Sequence, residues 1–462
     1  MTTTHEARPD SRAAATGLAP GGLPLLGHAI PLRRRPLDFL AALPAHGDLV
    51  EVRLGPRRTY LACHPDLVQQ VLRDSRTFDK GGPVFDKVRL LTGNGLATSC
   101  WADHRRQRRL MQPAFHPERM PGYATVMDQE ISSMVDSWQE GQAFDVNTAM
   151  QALTARIIVR TLFSTRIEDR AVAEIQRCLP VITRGFFTRM VAPLSLMEKL
   201  PTRNNRRFDR ALGRMHSVID ETISSHPAGI DHGDLLSGLL AAEDEETGER
   251  LAGHEIHDQV ITLLLGATET TGNTLAWIFH LLGENPEAEE QLHREMDLVL
   301  PDRRPGFADL PHLDYTRRIV TEALRLYPPP WLLTRSTTCE TELGGVRLAP
   351  GTIVLLSFYA LGHDPALFSA PERFDPDRWL PERAKTIPRG AWSSFGGGSR
   401  KCIGDRFAAV EVALALAAVA SGWRLRPQPG PGIRPEPKAS LSTGPLPMIP
   451  ERRRRGSSAT SE

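Results

Sequence analysis

Most of the chain between residues 64 and 300 carries apolar side chains at helical spacing. Leu153, Ile157, Ile158 and Leu162 fall on one helical face, because positions three, four and seven apart share a face. Apolar residues also recur three and four apart between positions 256 and 282. This pattern predicts a mainly helical structure for the middle of the chain.

Other stretches have a different pattern and predict a small β part. Residues 49–54 and 59–62 flank a Gly55-Pro56 turn, which is typical of a β-hairpin. Residues 341–348 and 353–358 predict further short strands. The closing segment, residues 405–420, is apolar on nearly every helical face and should form a buried helix. The expected fold class is mainly α with a small β part.

The chain shows no internal repeat and no flexible linker, so one large domain is expected over residues 19–449. The polar first segment, residues 1–18, and the last segment, residues 450–462, are expected to be disordered. Neither segment carries the apolar pattern of a packed element.

The composition excludes several classes of protein. The 462 residues include 56 Lys and Arg against 55 Asp and Glu, so the net charge of +1 gives no general affinity for nucleic acid or an anionic membrane. Apolar residues make up 40% of the chain, which is enough for a large core. No run of about 20 apolar residues is present to span a membrane. Five scattered cysteines are too few for a disulfide framework and favour the cytoplasm.

The strongest chemical signal is a lone cysteine in a glycine-rich loop directly before the buried closing helix. The loop runs Phe395-Gly-Gly-Gly-Ser-Arg400-Lys401-Cys402-Ile-Gly404. Its glycines permit close backbone approach to a flat ligand. The helix N-terminus, Arg400 and Lys401 should favour a thiolate. From these features alone, a thiolate metal ligand and a packed structural cysteine both remain open.

The spacing of this loop resembles the haem-binding signature of the cytochrome P450 family at every defining position. The resemblance implies a triangular helical fold in which Cys402 is the axial thiolate ligand of haem b and favours O–O cleavage. It also implies that Phe395 packs beside the sulfur, that Arg400 pairs with a haem propionate, and that Gly404 lets the helix pass under the porphyrin. A phosphate-binding loop is excluded, because the Lys-Ser/Thr pair of such loops is missing.

A run of small and polar residues lies within the apolar helix predicted over residues 256–282. The hydroxyl of Thr270 should bond to the carbonyl of Gly266, four residues earlier, and bend the helix. The segment resembles the oxygen-activation motif of the same family, in which Glu269 and Thr270 hold the acid and alcohol positions and support proton delivery. Ala267 stands where many members have glycine, which leaves the shape of the expected oxygen groove open. A helix with an ordinary polar face is the alternative.

Glu322 and Arg325 are three residues apart on one predicted helix face, as in an ordinary surface ion pair. The two residues resemble the Glu-x-x-Arg motif of the family, and Arg378 resembles the third member of the family's buried charge network. A buried network can fix the geometry of a loop. The three residues are therefore expected to support the cysteine loop and to take no chemical step.

By itself, the basic segment at residues 104–109 indicates a solvent-exposed helix face. His104 and Arg108 share a face, and the resemblance assigns both, together with Arg335, to a haem propionate, an anion that requires cationic donors. The remaining arginines are expected to form a basic patch that attracts an acidic iron–sulfur protein. They are Arg105, Arg106 and Arg109.

The resemblance covers about residues 20–445 and implies a cytoplasmic, monomeric monooxygenase that uses O2 and electrons from ferredoxin and ferredoxin reductase. The N-terminal portion and residues 204–208 look most like actinobacterial terpene oxidases, in particular pentalenene oxygenases. This predicts oxidation of the sesquiterpene pentalenene at an allylic methyl group, through alcohol to aldehyde, in terpenoid antibiotic biosynthesis.

The candidate substrate-pocket residues follow from position alone and are all apolar, which suits a hydrocarbon, although each is also compatible with ordinary core. They are Val84, Phe85, Phe187, Leu264, Trp331, Leu332 and Leu333. Two alternatives remain open: a hydroxylase or peroxygenase of a fatty acid or polyketide, and a haem-binding sensor without turnover. The pair Glu269 and Thr270 argues against a peroxygenase and against a sensor.

Overall fold

The computed structural model describes residues 14–163, 169–190, 200–226, 230–244, 247–301 and 303–453. Within these ranges the chain begins with α1 (Ala29–Arg34), α2 (Pro36–Ala42), α3 (Pro65–Arg73), α4 (Gly82–Thr92), α5 (Trp101–Met111), α6 (Met120–Asp136), α7 (Val146–Phe163) and α8 (Asp169–Met190). It continues with α9 (Arg203–Ser225), α10 (Leu235–Ala241), α11 (Gly253–Glu284), α12 (Pro286–Val299), α13 (Asp314–Leu326), α14 (Phe358–Gly362), α15 (Pro381–Ala384) and α16 (Asp405–Gly422).

The strands are short and fall mainly near the two ends of the described chain. They are β1 (Thr16–Leu18), β2 (Leu49–Leu54), β3 (Arg57–Ala62), β4 (Phe78–Asp79), β5 (Phe144–Asp145), β6 (Leu333–Thr337), β7 (Thr341–Leu343), β8 (Val346–Leu348), β9 (Ile353–Leu356), β10 (Trp423–Pro427), β11 (Glu436–Pro437), β12 (Leu441–Ser442) and β13 (Pro447–Arg452). Short 3₁₀ helices occur at Leu43–His46, Gln112–Phe115, Pro117–Arg119, Phe307–His312, Pro376–Trp379 and Gly398–Arg400.

Helix α11 forms the centre of the helical part. It is 32 residues long and packs against α7, α13 and α16. Its side chains Leu264, Leu275 and Ile278 are fully buried, and burial of each contributes about 1.5–3 kcal/mol. Helix α16, apolar on nearly every face, contacts α6, α11, α12 and α13. The mainly helical fold and the buried closing helix are therefore confirmed.

The β part consists of a six-stranded sheet, in the order β1-β2-β3-β9-β6-β4, and smaller sheets. The predicted hairpin is confirmed as antiparallel strands β2 and β3, joined through Gly55, whose φ of +61° favours glycine. Strands β7 and β8 pair with each other, and β9 lies between β3 and β6. Strand β9 ends at Leu356, because Ser357 caps helix α14 by accepting a hydrogen bond from the Ala360 N–H.

The expected limits of the two disordered ends are wrong for residues that pair in sheets. Strand β1 lies parallel to β2 within the segment expected to be disordered up to residue 18. At the other end, β13 runs antiparallel to β10 up to Arg452, and Arg453 pairs with Asp297. Both segments are ordered because a distant strand satisfies their backbone groups. Residues 1–13 and 454–462 lie outside the described residues.

The described helices were also searched for a possible membrane span. None of them combines the length and the apolar character that crossing a bilayer requires.

Candidate functional site

The cysteine loop is a tight turn that packs on α3. The N–H of Cys402 donates to the carbonyl of Phe395 at 2.9 Å, which folds the loop back on itself. Gly398 has a φ of +64°, and a Cβ there would lie 2.1 Å from the Leu72 carbonyl oxygen, so only glycine is accommodated. A Cβ on Gly404 would meet the protein only at 3.9 Å. The protein therefore leaves room for a side chain at Gly404.

The surroundings of Cys402 raise the pKa of its thiol, although the residue is solvent-exposed. Desolvation by the neighbouring protein is the main cause, and Asp405 adds to it. The N–H of Gly404 and the charges of Arg108 and Lys401 lower the pKa but do not outweigh desolvation. The loop's backbone N–H group and nearby cations therefore act in the expected direction, and desolvation opposes them. A bound metal ion would reverse the balance, because coordination deprotonates a thiol.

Four basic side chains from separate parts of the sequence meet beside the cysteine loop. They are Lys80, His104, Arg335 and Arg400, and the charges of the other three act on His104. Burial lowers the pKa of Lys80 well below its usual value, that of His104 to about 3 and that of Arg335 to about 10. The neighbouring cations lower all three further. His104 is therefore neutral near pH 7.

Asp79 is the carboxylate that acts on this cluster, and it pairs with the guanidinium of Arg400. Arg400 also donates to the carbonyl of Ser99 at 2.9 Å, and Lys80 donates to that of Ala97 at 2.6 Å. The buried Nε of Arg400 has no hydrogen-bond partner among the described residues. Positive charge buried in excess is costly unless an anion compensates it. The donor set therefore fits the two propionates at the edge of a haem.

Arg108 lies against the cysteine loop. Its Nη1 donates to the carbonyl of Lys401, and its Nε donates to Gln112 Oε1 at 3.2 Å. Arg108 acts on both Cys402 and His104. The structure therefore brings together His104, Arg108, Arg335, Arg400 and Cys402, as the sequence predicted.

The expected basic patch on α5 is only partly present. Arg106 pairs with Glu249 and Glu255, both at 2.7 Å, and Arg109 pairs with Asp244 at 2.8 Å. The prediction of a three-arginine patch is therefore wrong for Arg106 and Arg109, because acidic residues near the start of α11 neutralise them.

Arg109 is exposed despite its ion pair, and Arg105 is exposed as expected. Its guanidinium lies 5.2 Å from the centroid of the Trp101 ring, and that of Arg76 lies 5.4 Å from the same centroid. Trp101 thus holds two cations at one surface.

Glu322, Arg325 and Arg378 form a fully buried ion network. Arg325 makes a two-pronged contact with Glu322 at 2.8 and 2.9 Å, and Arg378 Nε donates to Glu322 at 3.2 Å. Ser394, directly before Phe395, donates to the carbonyl of Leu324 on the same helix at 3.1 Å. This bond links the network to the cysteine loop.

The acid and alcohol positions lie on α11. Thr270 Oγ1 donates to the Gly266 carbonyl at 2.5 Å, and the helix continues without interruption from Gly253 to Glu284. Burial raises the pKa of the Glu269 carboxyl, while the Thr183 side chain and the charge of Lys438 lower it. Bending of the helix and the oxygen groove remain predictions.

Sequence and structure comparisons agree with this arrangement. The family model for cytochrome P450 matches residues 18–451. Cyclooctatin synthase of Streptomyces melanosporofaciens is 57% identical over 94% of this chain and 95% of its own length. Cyclooctat-9-en-7-ol 5-monooxygenase from the same organism is 54% identical over 98% and 99%. Pentalenene oxygenase of Streptomyces avermitilis is 44% identical over 92% and 94%.

A crystal structure of the cytochrome P450DA heme domain superimposes with a TM-score of 0.85 and 28% identity, covering 96% of this chain and 99% of that chain. The chain belongs to the cytochrome P450 family. This P450 is therefore a monooxygenase whose cofactor is haem, held by an axial cysteine thiolate. The P450 fold expected from the sequence is confirmed.

The predicted pocket residues of this P450 have different environments. Leu264 has no exposed surface and packs within the main core, and its role in the pocket stays a prediction. Val84 is 37% exposed, and Phe85 lies 5.7 Å below the ammonium of Lys80. The others are half-buried, which leaves their role in the pocket a prediction. They are Phe187, Trp331, Leu332 and Leu333.

One basic residue of the P450 site carried no sequence signal. Lys80 follows Asp79 in an unremarkable Asp-Lys-Gly-Gly turn, and only folding brings it to Arg335 and Arg400. Which charged side chains surround a buried lysine is a property of the tertiary structure alone.

Proposed function

We propose that this P450 hydroxylates a polycyclic terpene that already carries a hydroxyl group. The observation that carries the proposal is identity of 54–57% over nearly the full length to two relatives named for cyclooctatin and cyclooctat-9-en-7-ol. The second of these names denotes an alcohol as substrate. Pentalenene, which the sequence analysis predicted, is the second candidate, supported by 44% identity to a pentalenene oxygenase.

Cys402 is proposed as the haem ligand, and the bound haem iron would supply the oxygen-activating chemistry. Lys80, Arg335 and Arg400 would bind the two propionates as cationic donors, with neutral His104 as an additional partner. Thr270 and Glu269 would hold and move protons at Oγ1 and at the carboxyl group. The Glu322 network would maintain the position of the cysteine loop.

The character of the proposed pocket supports an uncharged substrate. Phe85, Phe187, Trp331, Leu332 and Leu333 bear no formal charge. Burying a substrate carboxylate among them would be costly, whereas apolar area contributes about 25 cal/mol per Å². A terpene with one hydroxyl needs only a single polar partner. A fatty acid is therefore the less favoured substrate.

Ferredoxin is the proposed electron donor, and it would dock beside the cysteine loop. A groove of about 660 Å³ there is lined in part by Arg73, Arg389, Gly396 and Gly397. Arg73 and Arg389 form no ion pair within the described part of the chain. Asp66 also lines the groove, and the two arginines outnumber it, which suits an acidic iron–sulfur protein.

We propose further that the enzyme acts as a monomer in the cytoplasm. Its five cysteines are all free thiols, which suits a reducing compartment.

The test combines ligand spectra with turnover. Purified holoenzyme is titrated with cyclooctat-9-en-7-ol, pentalenene and a long-chain fatty acid, and then incubated with ferredoxin, its reductase and NADPH. The proposal expects a spin-state shift and a hydroxylated product from the first compound. Turnover of the fatty acid with both terpenes recovered unchanged would reject the terpene proposal. Haem spectra without any substrate-dependent NADPH use would favour a sensor.

Cys402→Ala tests the ligand separately. Loss of the red-shifted Soret band of the reduced carbon monoxide complex is expected. Cys100→Ala, at another exposed cysteine, is the matched control and should keep that band. A thiolate-type spectrum in the Cys402 variant would overturn the assignment.

A further inference from the structure

Apolar side chains are exposed in a group near the start of the described chain. Of the eleven large apolar residues that the described chain exposes, five fall within residues 18–30. They are Leu18, Leu23, Leu25, Leu26 and Ile30, here called the leucine patch. We propose that the leucine patch binds to the surface of an anionic lipid bilayer, from which the enzyme takes its apolar substrate. The uptake of substrate rests on the proposed terpene function, whereas the membrane binding does not.

The tip of the leucine patch has an unusual backbone conformation. Leu25 has a φ of +65°, in the left-handed region that a bulky side chain rarely adopts, and it is 92% exposed. Leu23 and Gly27 exchange backbone hydrogen bonds at 2.9 and 2.8 Å, which closes the turn. Gly55 donates to the Leu26 carbonyl at 3.2 Å and fixes the turn to the sheet. A leucine that is both strained and exposed contributes little to its own fold, which indicates an apolar partner outside the protein.

Exposed arginines border the leucine patch. Arg33 and Arg34 lie in the last turn of α1, Arg35 follows directly, and Arg57 is at the start of β3. Ile30 shares a helical face with Arg33 and Arg34, because positions three and four apart are neighbours on a helix. Among the residues that the structure places, none of these four guanidinium groups pairs with an acidic side chain. The arginines are therefore available to an anion outside the protein.

The local charge differs from that of the whole chain. Residues 18–37 contain three arginines and no acidic residue, whereas the 462 residues together carry a net charge of +1. Anionic lipid headgroups attract such a local excess, and each arginine near the headgroups strengthens binding. Every residue from 20 to 26 is exposed, so the leucines stand on a protruding turn and can enter the boundary between headgroups and acyl chains. A protruding apolar turn with a cationic border suits an anionic bilayer.

The leucine patch lies on a small core that includes two residues of the proposed substrate pocket. Ala19 and Val52 are buried in this core, and Leu32, Trp331 and Leu332 pack against it. A polycyclic terpene with one hydroxyl group has a mainly apolar surface and partitions from water into lipid. Binding through the leucine patch would bring the core that carries Trp331 and Leu332 next to the phase that holds the substrate.

The first test measures vesicle binding by the holoenzyme and needs no substrate. Flotation with vesicles of equal parts phosphatidylcholine and phosphatidylglycerol is compared with flotation with phosphatidylcholine alone. The protein should float with the anionic vesicles and much less with the neutral ones, and added salt should weaken the binding because it screens exposed charges. Absence of binding to the anionic vesicles would overturn the proposal. Equal binding to both kinds of vesicle would overturn the role of the arginines.

Two substitutions of Leu25 test the tip of the patch. Leu25→Asn should keep the fold, because asparagine tolerates a positive φ, and an unchanged haem spectrum and free energy of unfolding would verify this. Its binding to anionic vesicles should weaken about tenfold, because one leucine no longer enters the bilayer. Leu25→Trp should strengthen binding, since tryptophan favours the membrane interface, and a damaged fold could not produce such a gain. Binding that both substitutions leave unchanged would overturn the role of Leu25.

Leu298 provides a matched control on α12, because it is 83% exposed and lies outside the leucine patch. Leu298→Asn should leave vesicle binding unchanged. An equal loss in Leu25→Asn and Leu298→Asn would overturn the assignment, because any exposed leucine would then suffice. The double variant Arg33→Gln with Arg34→Gln should bind anionic vesicles about fivefold more weakly or less at low salt, and like the wild type at high salt.

A second measurement separates substrate uptake from membrane binding. The spin-state shift of the haem is followed after mixing holoenzyme with cyclooctat-9-en-7-ol, supplied either in anionic vesicles or in detergent micelles. Leu25→Asn should slow the shift from vesicles and leave the shift from micelles unchanged. Equal rates from vesicles in wild type and Leu25→Asn would overturn the uptake step. No shift from either source would reject this terpene as substrate and the uptake step with it, while flotation still decides the membrane binding.

Discussion

Two buried clusters of charged side chains lie near the cysteine loop. They differ in how completely their negative charges compensate their positive charges. In the first, Glu322 is shared by Arg325 and Arg378, and the remaining guanidinium N–H groups donate to backbone carbonyls. Arg325 bonds to the carbonyls of Gly362 and Pro371 at 2.5 and 2.8 Å. Every charge in this cluster has a partner within the protein.

The second cluster contains Lys80, His104, Arg335 and Arg400 around the single carboxylate of Asp79. One guanidinium nitrogen of Arg400 has no partner among the described residues, and burial lowers the pKa of Lys80. The comparison teaches that a balanced buried network serves the fold, whereas buried charge in excess indicates a ligand of opposite sign.

Breaking the balanced cluster should have the largest effect. Glu322→Gln leaves two buried guanidinium groups without a counter-charge, at a cost of about 3–5 kcal/mol. We expect loss of most folded, haem-containing protein, measured by the free energy of unfolding and by the haem-to-protein ratio. Asp314→Asn, at an exposed ion pair with Arg317 on the same helix, is the control and should change stability little. Equal effects of the two substitutions would contradict the distinction.

Removing a positive charge from the unbalanced cluster should stabilise the haem-free protein but weaken its hold on haem. Lys80→Met should stabilise the haem-free protein, because it removes buried positive charge. It should also speed haem loss to an acceptor apoprotein about tenfold, because a charge-assisted hydrogen bond is lost. Lys385→Met, at an exposed lysine, should change neither quantity. Slower haem loss from Lys80→Met would refute the assignment of Lys80.

The unbalanced cluster also predicts a pH dependence. The pKa of His104 is lowered to about 3 in the folded protein, against a usual value of 6.5. Between these values the unfolded chain binds a proton that the folded protein does not, so stability falls as the pH falls. The slope is at most about 1.4 kcal/mol per pH unit.

His104→Gln removes this difference in proton binding. The free energy of unfolding between pH 6.5 and 4 should therefore fall less steeply than in the wild type. His116→Gln, at an exposed histidine, should keep the wild-type slope. If the free energy of unfolding depends on pH in the same way in wild type and His104→Gln, another group controls the loss of stability at acidic pH.

The smallest effect is expected at the surface. There the contrast between compensated and uncompensated charge distinguishes the neighbouring residues Arg105 and Arg106. Arg105→Glu should slow electron transfer from ferredoxin a few-fold at low salt and less at high salt, because exposed charges are screened beyond about 8 Å at physiological ionic strength. Arg106→Glu should instead reduce stability, because Arg106 already pairs with Glu249 and Glu255. Salt-independent transfer in the wild type would remove the basis for this prediction.

The sequence by itself determined those features whose residues are close together along the chain. The helical spacing around Leu153, the Gly55 turn between β2 and β3, and the glycine-rich loop around Cys402 are all local patterns with local physical causes. The bond from Thr270 to Gly266 is likewise set by a four-residue spacing within one helix. These features fixed the fold class and the family of the protein.

Only the tertiary structure decided which distant charges meet. Asp79 and Arg400 are separated by 321 positions, and Arg106 finds Glu249 and Glu255 about 150 positions away. The pairing of strand β1 with β2 is likewise a tertiary contact. A charge has the same sequence signal whether it is paired or not, because pairing and desolvation depend on what folding places beside it. The sequence therefore identified the haem loop, whereas folding determined which cations remain available to an anion.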